Sequence, residues 1–119
     1  MGVIHASVII RNLAEPGREW EGRFLVDTGA SDTLVPRPHL EAIGLEPRGQ
    51  RTYELADGAQ VTMDITTCEM EIMGEIFGGM VVYGEAGTEP LLGVIALEAA
   101  GIQLDLRNQT LHKMPSFRL

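Results

Sequence analysis

Residues 24–36 read FLVDTGASDTLVP. An apolar run, Phe24-Leu25-Val26, delivers Asp27 into a turn of small residues, Thr28-Gly29-Ala30-Ser31, and a second apolar pair, Leu34-Val35, follows. Aspartate is depleted inside strands and favoured in turns, where its carboxylate bonds nearby backbone. A turn role alone would account for Asp27, but not for its apolar company, which sets the carboxylate at the edge of a core. A partly desolvated carboxylate is costly unless hydrogen bonds or a partner compensate it. The stretch therefore predicts a strand, a tight turn holding an acid with a task, and a second strand.

Upstream, residues 3–10 are β-branched and apolar and end at Asn12 and the Glu15-Pro16-Gly17 turn, which predicts a first strand; residues 20–26 predict a second. Pro36 and Pro38 stop the ladder after Leu34-Val35, and Pro38 opens a short helix, HLEAIG, that Gly44 closes. Downstream, RTYELADGAQVTM at residues 51–63 places Asp57-Gly58 between two extended arms, the signature of a hairpin with a primed turn. Its arms are polar, so it is expected to project from the body. Apolar residues fall at odd positions through Val61, Met63 and Ile65 and at even positions through Cys68, Met70 and Ile72. That change of phase predicts a bulge or bend near Thr66-Thr67.

Gly74-Glu75 turns the chain into a strand, IFGGMVVY, and residues 84–90 read as a loop. Leu91-Leu92-Gly93 then leads into a short helix, VIALEAAG, closed by Gly101 and followed by the extended segments IQLDL and TLHKM. LEAIGL at residues 40–45 and LEAAGI at residues 97–102 repeat one helix-to-glycine text in equivalent places. This predicts an internal duplication, each half a hairpin, a strand ending in a glycine turn and a short helix.

A chain of 119 residues supports one core and not two, so residues 1–119 are expected to form a single domain. Nine basic against 17 acidic residues give a net charge of -8, which argues against nucleic acid or an anionic membrane as partner. Arg107, His112, Lys113 and Arg118 make a mildly basic tail that reads as a solvated terminal strand. Cys68 stands alone, so no intrachain disulfide forms and it reads as a small buried hydrophobe. His5, His39 and His112 lie far apart without ligand spacing, so neither a metal site nor a cofactor is expected. The first residues lack the basic region of a signal peptide and no apolar run reaches spanning length. A soluble, cytoplasmic protein is expected.

Asp27-Thr28-Gly29-Ala30-Ser31 with Phe24-Leu25-Val26 before it, then a glycine-tipped hairpin, then Leu91-Leu92-Gly93 and a helix, resembles the retropepsin-type aspartic proteases over roughly residues 3–112. The tripeptide alone is a weak signal; the order and separation of the three parts carry the resemblance. It implies an all-β fold, closed and barrel-like, with one or two short helices, and the activity of an aspartic endopeptidase. That mechanism needs two facing aspartates and this chain has one such triplet. The resemblance therefore implies a homodimer with Asp27 of each subunit at the two-fold axis, acting on peptide or protein substrates without metal or covalent intermediate.

By the same resemblance Thr28 would bond across the axis, Gly29 would let substrate approach the backbone, and Ala30 and Ser31 would line the floor, the Ser31 hydroxyl bonding back to Asp27. Leu91, Leu92 and Gly93 would pack beneath that loop, and Leu55, Ala56, Asp57 and Gly58 would form the tip of a flap over the bound peptide. The acidic tip departs from the glycine-rich viral flaps. Ser31 and Val94 also stand where many viral members pair an acid with an arginine near the dimer interface, which implies a different interface solution from the viral one, interleaved termini included. Val26, Val35, Leu55, Val82 and Leu92 are candidates for apolar pockets, or plain core. A non-catalytic dimerisation or peptide-binding module of the same fold is the alternative, as is a regulator that cleaves one dedicated partner.

Overall fold

The computed structural model describes residues 3–119. β-Branched and apolar residues at every second position bury Ala6, Val8 and Ile10 on one face of the first strand, β1 (His5–Arg11). β1 pairs antiparallel with β2 (Glu19–Val26). After the Asp27 turn come a short strand, β3 (Thr33–Pro36), and a helix, α1 (Arg37–Ala42), with Pro38 in its first turn. Pro36 ends β3, as expected of a residue that cannot donate to a ladder.

The second half starts with the hairpin of β4 (Gly49–Glu54) and β5 (Gln60–Ile72), and β5 continues into β6 (Glu75–Gly84). Then follow β7 (Leu91–Leu92), α2 (Val94–Ala100), β8 (Ile102–Asp105) and β9 (Thr110–Lys113). The main sheet runs β1-β2-β7-β3-β6-β5-β4, and β1 also pairs with β5, so six strands close into a ring and β4 is left outside it as an edge. β8 and β9 form a separate two-stranded ribbon. Phe24, Leu40, Met70, Ile72 and Leu92, each with almost no exposure, form the core between the sheet and the two helices. Cys68 belongs to it; burial pushes its thiol up to about 12, which leaves it inert.

Two local expectations need correction. No bulge interrupts β5: it keeps one unbroken register with β4 up to Ile65 and with β6 from Ile65 onward. The apolar phase changes because the strand passes from one environment to another. Its first half leaves Val61 and Met63 half-buried, with Met63 in a cleft shared with Leu34 of β3, and its second half turns Cys68, Met70 and Ile72 into the core. The Asp57-Gly58 connection is also longer than a primed two-residue turn. Leu55 N–H donates to Ala59 O at 2.7 Å, Gly58 N–H returns to Leu55 O at 2.9 Å, and Gly58 alone takes a positive φ of 86°. The two-residue turn lies at Met73-Gly74, where both residues are left-handed.

The duplication is structural. One constant shift along the chain carries Leu40, Ile43 and Leu45 onto Leu97, Ala100 and Ile102, all six buried. It carries the left-handed Gly44 onto Gly101, each donating back to the helix that it ends. The same shift exchanges the parallel pairs Leu25↔Leu91 and Val26↔Leu92 with Val82↔Leu34 and Tyr83↔Val35. Leu34 and Leu91, paired with each other, sit where the two halves meet.

No described helix is long and apolar enough to cross a membrane. Phe24 is fully buried and packs at 5.6 Å against Trp20, so Phe24→Ala is expected to lower stability by about 3–5 kcal/mol, read by urea denaturation. Leu13→Ala, at an exposed position, should change it by less than about 0.5 kcal/mol.

Candidate active site

β2 reaches the site in parallel with β7. Leu25 N–H donates to Pro90 O at 3.0 Å and Asp27 N–H to Leu92 O at 3.0 Å, so Asp27 is the last residue whose backbone is held by this ladder. The chain then turns away, and the half-buried Asp27 carboxylate folds back over its own loop. Oδ1 accepts the Gly29 N–H at 3.0 Å, and Ala30 N–H closes the turn on Asp27 O at 3.1 Å. This is the backbone bonding expected of a turn aspartate. The bond expected from the Ser31 hydroxyl is replaced by that Gly29 N–H; Ser31 acts through its carbonyl.

That carbonyl meets the other half of the molecule. The backbone N–H groups at the start of a helix have no partner within the helix, and here the Asp27 loop receives them. Val94 N–H donates to Ala30 O at 2.9 Å, Ile95 N–H to Ser31 O at 3.2 Å, and Gly93 N–H to the buried Thr33 Oγ1 at 3.1 Å. A Cβ on Gly93 would lie 2.6 Å from Ser31 O and 2.6 Å from the Asp32 carbonyl carbon, so only glycine permits this approach. Gly93 thus lies directly against residues 31–33, while Leu91 and Leu92 pair with Leu25 and Val26 on the strand that leads into the loop. Backbone bonds from Val94 and Ile95 join loop and helix where many viral members would pair an acid with an arginine.

The shift that relates the two halves carries Asp27 onto Gly84. The second half repeats the strand and the helix but supplies no second carboxylate at this place. Among the described residues no cluster of His, Cys, Asp and Glu could hold a metal ion.

A cleft of about 310 Å³ opens between the Asp27 loop and the β4–β5 hairpin. Gly29, Ala30 and Ser31 form its wall on the loop side, and Leu55 and Ala56 close it from the hairpin. Leu34, Met63, Val82 and Leu91 make the rest of its lining largely apolar. Of the pocket candidates, Leu55 and Val82 line this cleft, whereas Val35 and Leu92 are wholly buried core and Val26 packs against that core. Asp57 and Gly58 stand beyond it at the hairpin tip, where Asp57 Oδ1 accepts Ala59 N–H at 2.9 Å. Thr28 is exposed at the edge of the loop.

Sequence reasoning passed over three residues here. The Asp32 side chain is only 6% exposed, and its Oδ2 accepts the Tyr53 hydroxyl at 2.5 Å and Arg51 Nη1 at 3.1 Å. Burial, together with the bond to Asp32, pushes the Tyr53 hydroxyl up to about 12. Arg51 and Tyr53 are two apart on β4, so one face of that strand presents both. The alternation was legible; the partner, 19 and 21 residues away, was not.

Gly93→Ala is expected to cost about 1–3 kcal/mol and to displace residues 31–32. Thr33→Val should cost about 1–3 kcal/mol by stranding a buried N–H, whereas Thr33→Ser should retain most of the stability; denaturant midpoints check all three. Tyr53 ordinarily titrates at 10.0, so its raised value means that its contribution is fully present below pH 10 and is lost as pH rises toward about 12. Alkaline ultraviolet titration should show a tyrosinate step near 12 that Tyr53→Phe removes.

No curated protein matches the chain at a significant level. A family model described as gag-polyprotein putative aspartyl protease matches residues 17–99, which takes in the Asp27 loop, the hairpin and the Leu91-Leu92-Gly93 turn. With that match extending over most of its length, the chain belongs to the gag-polyprotein aspartyl protease family.

Proposed function

We propose that the chain is an aspartic endopeptidase, folded as one domain, that works as a homodimer with Asp27 of each subunit facing the other across a two-fold axis. The observation that carries this reading is the asymmetry of the duplicated halves. Asp27 sits on a loop locked to the second half by backbone bonds, and the residues that follow it, Gly29 to Asp32, line an apolar cleft, while the equivalent position is Gly84. One chain supplies one carboxylate, and a second copy related by symmetry supplies the other.

The chemistry follows from placing two carboxylates together. They cannot both ionise easily, so the pair holds one proton over a range of pH, as in other two-carboxylate peptidases. The ionised member takes a proton from a bound water as that water attacks the scissile carbonyl carbon. The protonated member donates to the carbonyl oxygen, and the tetrahedral intermediate then collapses with transfer of a proton to the leaving amine. The Gly29 N–H bond to Oδ1 restricts the carboxylate to one orientation. In this reading Thr28, exposed at the edge of the loop, bonds its counterpart in the second subunit. The hairpin acts as the flap: Leu55 and Ala56 cover the cleft, and its extended arm pairs with substrate as an added strand.

Cleavage of a proteome-derived peptide mixture, with oligomeric state measured in parallel, tests this reading. The dimeric wild type is expected to cut bonds flanked by apolar side chains that fit the cleft. Asp27→Asn should keep the dimer and lose activity by about a hundredfold or more. A folded dimer that cuts nothing, and that the Asp27→Asn substitution leaves unchanged in every respect, would point to a peptide-binding or dimerisation module. Two subunits of net charge -8 repel, so the dimer should tighten with rising ionic strength; sedimentation equilibrium giving a salt-independent constant would contradict this.

A further inference from the structure

The β4–β5 hairpin is held to the body by little apolar surface. β4 is the edge of the sheet, and of its six residues only Tyr53 is even half buried. Polar contacts take the place of a core. Near the base, Asp64 accepts Arg37 Nη2 at 2.6 Å and Gln50 Nε2 at 3.2 Å, tying the hairpin to α1, and those two donors hold the Asp64 carboxyl below its usual range. Halfway up, Tyr53 and Arg51 meet Asp32 on the Asp27 loop. Beyond them, residues 55–59 bond only to one another in the turn.

Asp32 lies five residues beyond Asp27 on a segment that cannot shift freely, because Gly93 is wedged against its backbone and the neighbouring Ser31 and Thr33 are bonded to residues 93–95. Its carboxylate is therefore a fixed post on the rigid side of the cleft. The two groups that reach it come from the hairpin side, and both Asp32 and Tyr53 line the cleft itself. From this juxtaposition we infer that Asp32, Tyr53 and Arg51 form a latch that sets the height of the hairpin above the Asp27 loop. Asp32 is a positioning residue and not a third catalytic acid. The latch also fixes where the hairpin can bend: with it closed, only the tip beyond Glu54 moves; with it open, the arm swings from the Arg37–Asp64 anchor. The consequence for substrate capture rests on the endopeptidase reading, whereas the latch itself does not.

Hydrogen exchange on the full-length protein tests the latch without any substrate. In Tyr53→Phe and in Asp32→Asn, amides of residues 50–62 should exchange about tenfold or more faster than in wild type, while those of β1 and of residues 81–84 keep their protection. The double variant should exchange no faster than Asp32→Asn alone, because the Tyr53 hydroxyl acts only through the carboxylate that this change already alters. Unchanged exchange in the single variants, or effects that add in the double, would overturn the latch. In parallel, Asp27-dependent peptide cleavage should show KM raised about tenfold in Tyr53→Phe with kcat altered less than about threefold. A fall confined to kcat would overturn the positioning role. Absence of Asp27-dependent cleavage in the wild type would remove the endopeptidase reading alone, since the exchange comparison still decides the latch.

Discussion

The Asp27 loop has no ladder or helix of its own, and its shape depends on one backbone interlock. The amides of Gly93, Val94 and Ile95 have no partners within α2, and the oxygens of Thr33, Ala30 and Ser31 have none within the loop; each set satisfies the other. Buried backbone groups left unpaired are costly, so neither segment can be altered without exposing the other to that cost. Gly93 allows the two backbones to come this close. The remainder of the site is built outward from that contact: Asp27 on one side, Asp32 on the other, and the hairpin resting on Asp32.

The same interlock explains how a short chain can hold a polar site beside a core. β2 and β7 run in parallel, as do β3 and β6, and Leu34 and Leu91 pair at the centre. The two halves therefore share one arrangement, in which a strand from each is threaded between strands of the other. Closing the sheet through β1 and β5 removes most of the open edges that such short strands would present. Among the described residues only β4 and the ribbon of β8 and β9 are strands outside the ring, and the β4 edge carries the hairpin proposed to move.

Much of this was legible from the chain. Alternation placed β1, the glycines at 44 and 101 ended both helices, and the repeated LEAIGL and LEAAGI marked the duplication. The phase change at Thr66-Thr67 was read from the residues correctly, but it does not come from a bulge. Periodicity reports which face is buried, and a strand in unbroken register that passes from one packing environment to another produces the same pattern as a bulge. The turn at Asp57-Gly58 was similarly misjudged in length, because the residues that close it, Leu55 and Ala59, have no turn signature of their own.

By itself the sequence determined that an acid would emerge from an apolar strand into a small-residue turn, that two similar halves would fold about it, and that one chain would carry a single such acid. These are properties of local propensity, periodicity and repetition, which neighbouring residues encode. Only the tertiary structure decided that Thr33 would receive Gly93, that Ser31 would serve through its carbonyl, and that Asp32 would be the post for Tyr53 and Arg51. Those contacts join residues far apart in the chain, and several of the bonds depend on the positions of backbone groups that every sequence possesses. No residue type announces them until the fold has brought them within hydrogen-bonding distance.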